Sequence, residues 1–360
     1  KTVLLEDQLV VDALKNEGLK VKRLSWDDAN FDWSTTHYIL FRSTWDYFDR
    51  FPEFSKWLNT VSKQTKLLNS EAIIRWNIDK HYLLDLKKAG VHIAETQFIE
   101  KGSQTSLEEL HTKFNWSQTV LKPCISGAAR HTYKLNSENI HEHETVFKEL
   151  IANEAFMLQP FQHKIVSEGE ISMMVFNGKF THAILKKAKA GDFRVQDDFG
   201  GSVHDYNPTK EEIEFAENTI KVCFEMPIYA RVDIFTDNNN KIALAELELI
   251  EPELWFRNHP KAADELAKGI LQKIELNELA IARIGFIKEL NNGSLLVSGL
   301  NKVIIAHYDG STQTLKLINE ITLPDELTIN DAAEDKNGNI LIAAEEGLFK
   351  LNFSEKNSFG

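Results

Sequence analysis

Between Tyr229 and Ile250 the sequence leaves few choices of fold. Two apolar runs, Tyr229–Phe235 and Ile242–Ile250, flank the polar stretch Asp237–Asn240, the pattern of an antiparallel hairpin. Glu246 and Glu248 stand two apart in the second run, so both side chains leave the same face of the strand. Asp233, on the partner strand, can point to that face too. The neighbours Ala243, Leu244, Ala245, Leu247, Leu249 and Ile250 are apolar, which suits an otherwise buried strand. Three carboxylates converging on such a face repel one another unless a cation neutralises them. Donors that are all oxygen suit Mg²⁺, which is held by a few carboxylates together with nucleotide phosphates. The competing reading is an exposed face of alternating charges, and the apolar neighbours weigh against it.

Further hairpin and helix signals surround this one. Ile171–Phe176 and Phe180–Lys186 flank Asn177-Gly178, a strong two-residue turn signal. Strands are expected at Ala155–Gln159 and Thr119–Lys122, the latter running into the small, polar loop Ser126–Thr132. A helix near Lys80–Lys88 stops at Gly90. Thr209 and Glu212 form a capping box ahead of a helix whose face is Ile213, Ala216, Ile220 and Cys223. Antiparallel hairpins with helices on one side predict an α+β domain. The first 76 residues read differently. Val3-Leu4-Leu5 is a brief apolar run at the start of a strand–helix alternation, followed by helical spacing through Leu9, Ala13 and Leu14 up to Gly18. Tyr38–Phe41 reads as a buried strand with Arg42–Asp46 at its C-terminal end. Pro52 suits the first turn of a helix with face Phe54, Trp57, Leu58 and Val61. That alternation predicts a small α/β unit with a mostly parallel sheet. Arg42–Asp46 lies where such sheets collect ligands, and a solvated loop explains it equally well.

Composition narrows the function. The formal net charge of −13 excludes a nucleic-acid surface, which needs clustered Lys and Arg. No segment approaches the roughly 20 apolar residues of a membrane span, and no signal-peptide pattern opens the chain. Lys1 in place of Met implies residues ahead of it. The two cysteines, Cys124 and Cys223, exclude a disulfide scaffold and fit a reducing, cytoplasmic setting. All seven Trp lie at or before Trp255, and only one His follows residue 276. The expected domains are 1–76, 77–275 and a β-rich tail, 276–360. In the tail, Asn292-Gly293-Ser294-Leu295-Leu296-Val297 recurs as Asn337-Gly338-Asn339-Ile340-Leu341-Ile342, a shift of 45. Each copy has a second short strand ending in Tyr308 or Phe353. The period resembles β-propeller blades. Two blades cannot close a ring, so the tail is expected to pack on the body, self-associate, contact another protein, or be a truncated or fused gene end.

Cations stand on matching strands. Lys122 ends the strand after Val120-Leu121, Lys186 and Lys187 end the one after Ala183-Ile184-Leu185, and Arg194 lies in a loop before Gly200-Gly201. A Lys leaving a buried strand either snorkels or meets an anion. Neither a P-loop nor a G-x-G-x-x-G is present. His141-Glu142-His143-Glu144 lacks the H-E-x-x-H spacing and reads as a solvated helix start. Ser126 has no G-x-S-x-G context and Cys124 no identifiable His partner, so nucleophilic catalysis is unsupported.

Taken together, Lys80, Lys122, Leu158-Gln159-Pro160-Phe161, Arg194, Arg231-Val232-Asp233 and Glu246-Leu247-Glu248 fall in the order and spacing of the ATP-grasp ligases. Arg42-Ser43-Thr44-Trp45-Asp46-Tyr47, Gly191-Asp192-Phe193-Arg194-Val195-Gln196 and Glu246–Pro252 resemble the glutathione-synthetase-like branch, which includes the cycloserine-pathway cyclo-ligase. The resemblance covers roughly residues 1–270. It implies an N-terminal α/β pre-ATP-grasp domain, an ATP-grasp catalytic domain, and ATP with Mg²⁺ as cofactors. By resemblance, Lys80, Lys122 and Lys186 belong to the nucleotide site. Pro160 and Phe161 form a hinge whose backbone reads the adenine edge, with Gln159 beside it, and Glu170 lies near the ribose. Arg194, Gln196 and Arg231 serve the transferred phosphate, and Asp233, Glu246 and Glu248 hold Mg²⁺. The implied reaction is γ-phosphoryl transfer to a small-molecule carboxylate, then attack by an amine on the acyl phosphate. Rival readings are a non-catalytic nucleotide-binding module with a protein-interaction tail, and an ATP-dependent phosphoryl transferase. Three departures stand out. Relatives often have Asn at Glu248, often have a substrate-binding Arg at Ser172, and have several Gly in the loop that here holds only Gly127.

Overall fold

The computed structural model describes residues 2–127, 129–189, 191–195, 200–278, 286–299, 302–309, 314–323, 329–344, 347–352 and 358–359. Gln196, Phe353 and Ala128 of the Ser126–Thr132 loop lie outside the described residues. The chain forms two compact units, Lys1–Gly269 and Ile270–Gly360.

The first unit opens with helix α1 (Thr2–Asn16), which takes in Val3-Leu4-Leu5, so no strand forms there. The reason is period: Val10, Ala13 and Leu14 recur at helical spacing and are buried, and the helix extends back from them. Strand β1 (Tyr38–Leu40), helix α2 (Phe51–Val61) and strand β2 (Lys66–Leu68) follow, and β1 pairs with β2 in parallel. Pro52 sits in the first turn of α2, where its missing N–H costs nothing. The helix buries Phe54, Leu58 and Val61 against Trp26, Phe41 and Tyr47.

Helices α3 (Glu71–Ile78) and α4 (Tyr82–Lys88) lead into strand β3 (Gln97–Ile99), helix α5 (Leu107–Phe114), strands β4 (Gln118–Pro123) and β5 (Tyr133–Asn136), helix α6 (Ile140–Ile151) and strand β6 (Phe156–Pro160). These strands make an antiparallel sheet in the order β3-β6-β4-β5. Leu107, Leu110 and Phe147 of the helices share a core with Leu121, Phe156 and Leu158 of the sheet. Helix α7 (His163–Glu168) precedes strands β7 (Glu170–Phe176), β8 (Lys179–Lys187) and β9 (Ser202–Tyr206), helix α8 (Lys210–Lys221), and strands β10 (Tyr229–Thr236) and β11 (Ile242–Glu248). The second sheet runs β11-β10-β7-β8-β9. Both expected hairpins form. Asn177 (φ 51°) and Gly178 (φ 76°) take the left-handed conformations that a tight β7–β8 turn requires. The Thr209–Glu212 capping box starts α8, and Ala216 and Ile220 pack on Met173, Val175, Ala230 and Val232 of the sheet.

The division between the units falls inside helix α9 (Lys261–Glu278). The second unit holds two four-stranded antiparallel sheets. One is β12 (Phe286–Glu289), β13 (Leu295–Ser298), β14 (Lys302–Asp309) and β15 (Thr314–Thr322). The other is β16 (Ile329–Glu334), β17 (Ile340–Ala344), β18 (Gly347–Asn352) and β19 (Ser358–Phe359). The 45-residue shift read from the sequence reappears in the pairing. Val297 faces Ile304 as Ile342 faces Phe349, and Ile287 faces Val297 as Ala332 faces Ile342. Gly293 (φ 79°) and Gly338 (φ 81°) occupy the same turn position in each copy.

Candidate active site

Register places the carboxylates. On the β10–β11 pair Asp233 lies opposite Glu246 and Arg231 opposite Glu248, while on the β10–β7 pair Asp233 lies opposite Ser172. One row across three strands therefore holds Ser172, Asp233 and Glu246, and the next holds Arg231 and Glu248. This is the shared face that the two-residue spacing predicted.

Strand β11 is an edge of its sheet, and an edge leaves backbone groups without partners. Two side chains from the preceding helices close it. Asn77 Nδ2 donates to the Leu247 carbonyl at 2.8 Å, and the Leu249 N–H donates to Asn77 Oδ1 at 2.8 Å. The Leu247 N–H donates to the Tyr82 hydroxyl at 2.9 Å. Asn69 similarly donates to the Tyr229 and Leu249 carbonyls. Sequence reasoning missed all three, because a polar side chain gives no sign of which distant backbone it will meet.

Each carboxylate is met by a cation. Lys80, between α3 and α4, reaches Glu246 at 2.9 Å and donates to the Ser126 carbonyl at 2.7 Å. Arg231 binds Asp233 through Nε (3.0 Å) and Nη2 (2.9 Å), and also pairs with Glu248. Lys186, on β8, lies 2.5 Å from Glu170 and 3.2 Å from Asp233. Ser172 Oγ donates to Asp233 at 2.5 Å. Lys122 projects from the other sheet; burial pulls its pKa down, opposed by the field of Glu246. Among the described residues its ammonium has no hydrogen bond or ion pair.

The electrostatics separate the acids. Burial raises Asp233, but Arg231 and Lys186 outweigh it and hold the carboxyl at about 2. Burial likewise opposes Glu246, and Lys80 and Lys122 bring it below the ordinary range. Glu248 rises to about 7, because burial and the charges of Glu246 and Asp233 outweigh Arg231. Burial also raises Glu170 and Glu251, the second further pushed by Glu248. A face on which one acid is only about half ionised at pH 7 is short of positive charge. Its donors are hard oxygens from two paired strands, and this set fits Mg²⁺. The carboxylates are drawn toward their cations more than toward one another. Among the described residues the one group of three or more His, Cys and carboxylate atoms gathered within 4.8 Å belongs to Asp79, His81 and Cys124. That group corrects the expectation that Cys124 has no His neighbour. It provides no nucleophile: the thiol is buried and its pKa raised, and His81 is engaged by Asp79 (2.6 Å) and Glu100 (3.2 Å).

The remaining candidates are placed as follows. The Phe161 N–H donates to the Gln118 carbonyl at 2.9 Å, and the Phe161 carbonyl accepts from Asn238 at 2.9 Å, so both backbone groups expected to read an adenine edge are engaged within the protein. Gln159 donates to Thr96 at 2.8 Å and the Pro160 carbonyl accepts from Gln162 at 3.1 Å. Arg194 stands on a loop with its guanidinium on Asp192 at 2.7 Å. His141 pairs with Glu108 and His143 Nδ1 donates to the Asn139 carbonyl, the ordinary contacts of a helix start. The Arg42–Asp46 segment is no solvated loop. Arg42 donates to the Pro252 carbonyl at 3.2 Å and Trp45 to the Glu251 carbonyl at 2.8 Å, which ties it to the chain just after β11. A small cleft there is lined by Glu6, Asp7, Arg42, Ser43, Trp45 and Glu253.

A family model described as the N-terminal domain of the D-cycloserine synthetase DcsG matches residues 2–69. The cycloserine biosynthesis protein DcsG of Streptomyces lavendulae is 25% identical over 287 residues, 74% of this chain and 93% of that protein. The chain is similar to the ATP-grasp ligases and has their fold. The crystal structure of D-cycloserine synthetase DcsG matches this chain with a TM-score of 0.69 at 23% identity, covering 76% of this chain and 96% of that one. The ATP-grasp ligase PsnB, in complex with a phosphomimetic variant of its minimal precursor, Mg and ADP, matches with a TM-score of 0.55 at 13% identity, over 75% and 95%. As in these ATP-grasp structures, the fold is mixed α and β, here with the two small antiparallel sheets of the second unit added. Among the described residues no helix is long and apolar enough to cross a membrane.

Proposed function

We propose that this chain is an ATP- and Mg²⁺-dependent ligase that joins a carboxylate to an amine through an acyl phosphate. Its substrate would be small and amino-acid-like, or a peptide. The observation that carries the reading is the charge network in which Lys80, Lys186 and Arg231 neutralise Glu246, Asp233 and Glu248 on one sheet face. Nothing in the folding of a hairpin requires so many buried charges; binding a triphosphate beside a second anion does. In this reading Asp233, Glu246 and Glu248 hold Mg²⁺, which when bound neutralises phosphate charge. Lys80 and Lys122 then hold phosphate oxygens, Lys122 having no hydrogen bond or ion pair among the described residues. Arg231 leaves Glu248 to meet the transferred phosphoryl group. Arg194, with Gln196, serves the transferred phosphate, and Gln159–Phe161 and Glu170 serve the adenosine.

The balance is simple. A substrate carboxylate oxygen attacks the γ-phosphorus and ADP leaves; the amine nitrogen then attacks the acyl carbon, phosphate leaves and the nitrogen loses a proton. The protein contributes alignment and charge stabilisation. The test is release of ADP and phosphate with a panel of carboxylates, with hydroxylamine as trapping amine. Hydroxamate formation is the expected result. ATP binding without product release under any pairing would make the chain a nucleotide-binding module, and a stable phosphorylated product would make it a phosphoryl transferase.

A further inference from the structure

The two sheets of the second unit are related by translation along the repeat, and their faces are used unequally. Because β12–β14 and β16–β18 share one register, each residue of β12–β14 has an equivalent 45 positions on. The first sheet buries Leu296 and Val303 in a core shared with the second. The second sheet contributes Ala332, Ile340, Ile342 and Leu351 to that core, with Phe349 beside them. These are the equivalents of Ile287, Leu295, Val297, Ala306 and Ile304, which lie on the opposite face of the first sheet. There Val297, Ile304 and Ala306 form a separate buried cluster. The contact is thus head to tail: one face of a repeat meets the other face of the next. Lys288 reaches across it to Asp331 at 3.1 Å.

A head-to-tail contact leaves its first kind of face unused on the second sheet. The equivalents of Leu296 and Val303 are Leu341 and Leu348. Val303 is 0% exposed, whereas Leu348 is 70% exposed, the most open large apolar side chain among the described residues. Ala333 and Lys350 on the same face are exposed as well, and Leu341 and Ala343 are half-buried. The same position in the same register is core in one copy and surface in the other.

We propose that the face of Ala333, Leu341, Ala343, Leu348 and Lys350 is the seat of a further four-stranded sheet of the same 45-residue repeat. The incoming sheet would present the equivalents of Ala332, Ile340, Ile342 and Phe349. The occupant is set by the existing contact, since the matching face of the first sheet already takes such a partner.

The experiment uses the full chain carrying Leu348→Cys, with and without an additional copy of residues 324–360 fused behind Gly360. The native thiols, Cys124 and Cys223, are 1% and 9% exposed, so a maleimide reports position 348. Labelling should be fast in the unextended chain and slower by at least ~10-fold in the extended one, because burial makes reaction wait on local opening. Far-UV circular dichroism should show added strand content. Equal labelling rates overturn the proposal, whether or not the added copy folds, because docking is what would order it. Protection in the unextended chain that grows with protein concentration would assign the face to a second copy and overturn it too.

Discussion

Asn77 offers the sharpest test of how the carboxylate face is held. Its amide gives and takes one hydrogen bond each, both 2.8 Å, on the backbone of β11 and the residue after it. The side chain is 7% exposed, and its partners Leu247 and Leu249 are 1% and 0% exposed. In Asn77→Leu, the Leu247 carbonyl and the Leu249 N–H would be left buried without partners. An orphaned buried group costs about 1–3 kcal/mol, so the pair should cost about 3 kcal/mol even with some relaxation. For a unit of this size that is a fall in Tm of roughly 6 °C. Asn77→Asp keeps an acceptor for Leu249 but sets a carboxylate oxygen against the Leu247 carbonyl, so it should recover only part of the loss. The assay is thermal or urea unfolding of the full chain, with nucleotide affinity measured by calorimetry at a temperature where each variant is folded. Glu246 and Glu248 flank Leu247, so Mg²⁺-dependent nucleotide affinity should fall together with stability. A loss below about 0.5 kcal/mol for Asn77→Leu would refute the argument that α3 closes the β11 edge.

Other outcomes follow from the same geometry. Lys122→Ala should weaken ATP binding by at least about tenfold, since one charge-assisted phosphate contact is lost, and unchanged affinity by calorimetry would remove Lys122 from the site. Glu248→Gln should chiefly lower turnover and leave ATP affinity within a few-fold, because the metal acts most strongly as charge develops; a parallel fall in both would contradict this. His182 is buried with Nε2 on the Leu254 carbonyl at 2.8 Å, and burial depresses its pKa from 6.5 to about 4. A depressed base stabilises the fold fully above its unfolded pKa, and the contribution, up to about 3 kcal/mol, is lost as pH falls from 6.5 toward 4. Urea unfolding across that range should show the slope, and His182→Phe should flatten it.

Local chemistry in the chain was enough to fix several features without any tertiary information. The Asn177-Gly178 turn, the Thr209–Glu212 capping box and the 45-residue repeat each depend on residues close in sequence, and each forms as read. The two-residue period put Glu246 and Glu248 on one face, and the hairpin brought Asp233 to it. Gathering the cations was a different matter. Lys80, Lys122 and Lys186 come from a helix junction and two separate sheets, and no sequence pattern states that they meet. Resemblance named them; the tertiary fold brings Lys80 to Glu246 and Lys186 to Asp233. The closure of β11 by Asn77 and Tyr82, the tie of Arg42 and Trp45 to residues 251–252, and the His81 neighbour of Cys124 were invisible for the same reason. The opening helix was misread because a three-residue apolar run suits either period until its continuation decides. Turns, caps and strand faces are set by torsional preference and periodicity over a few residues. Which buried charge meets which is set by packing between segments up to about two hundred positions apart, where only the folded chain holds the information.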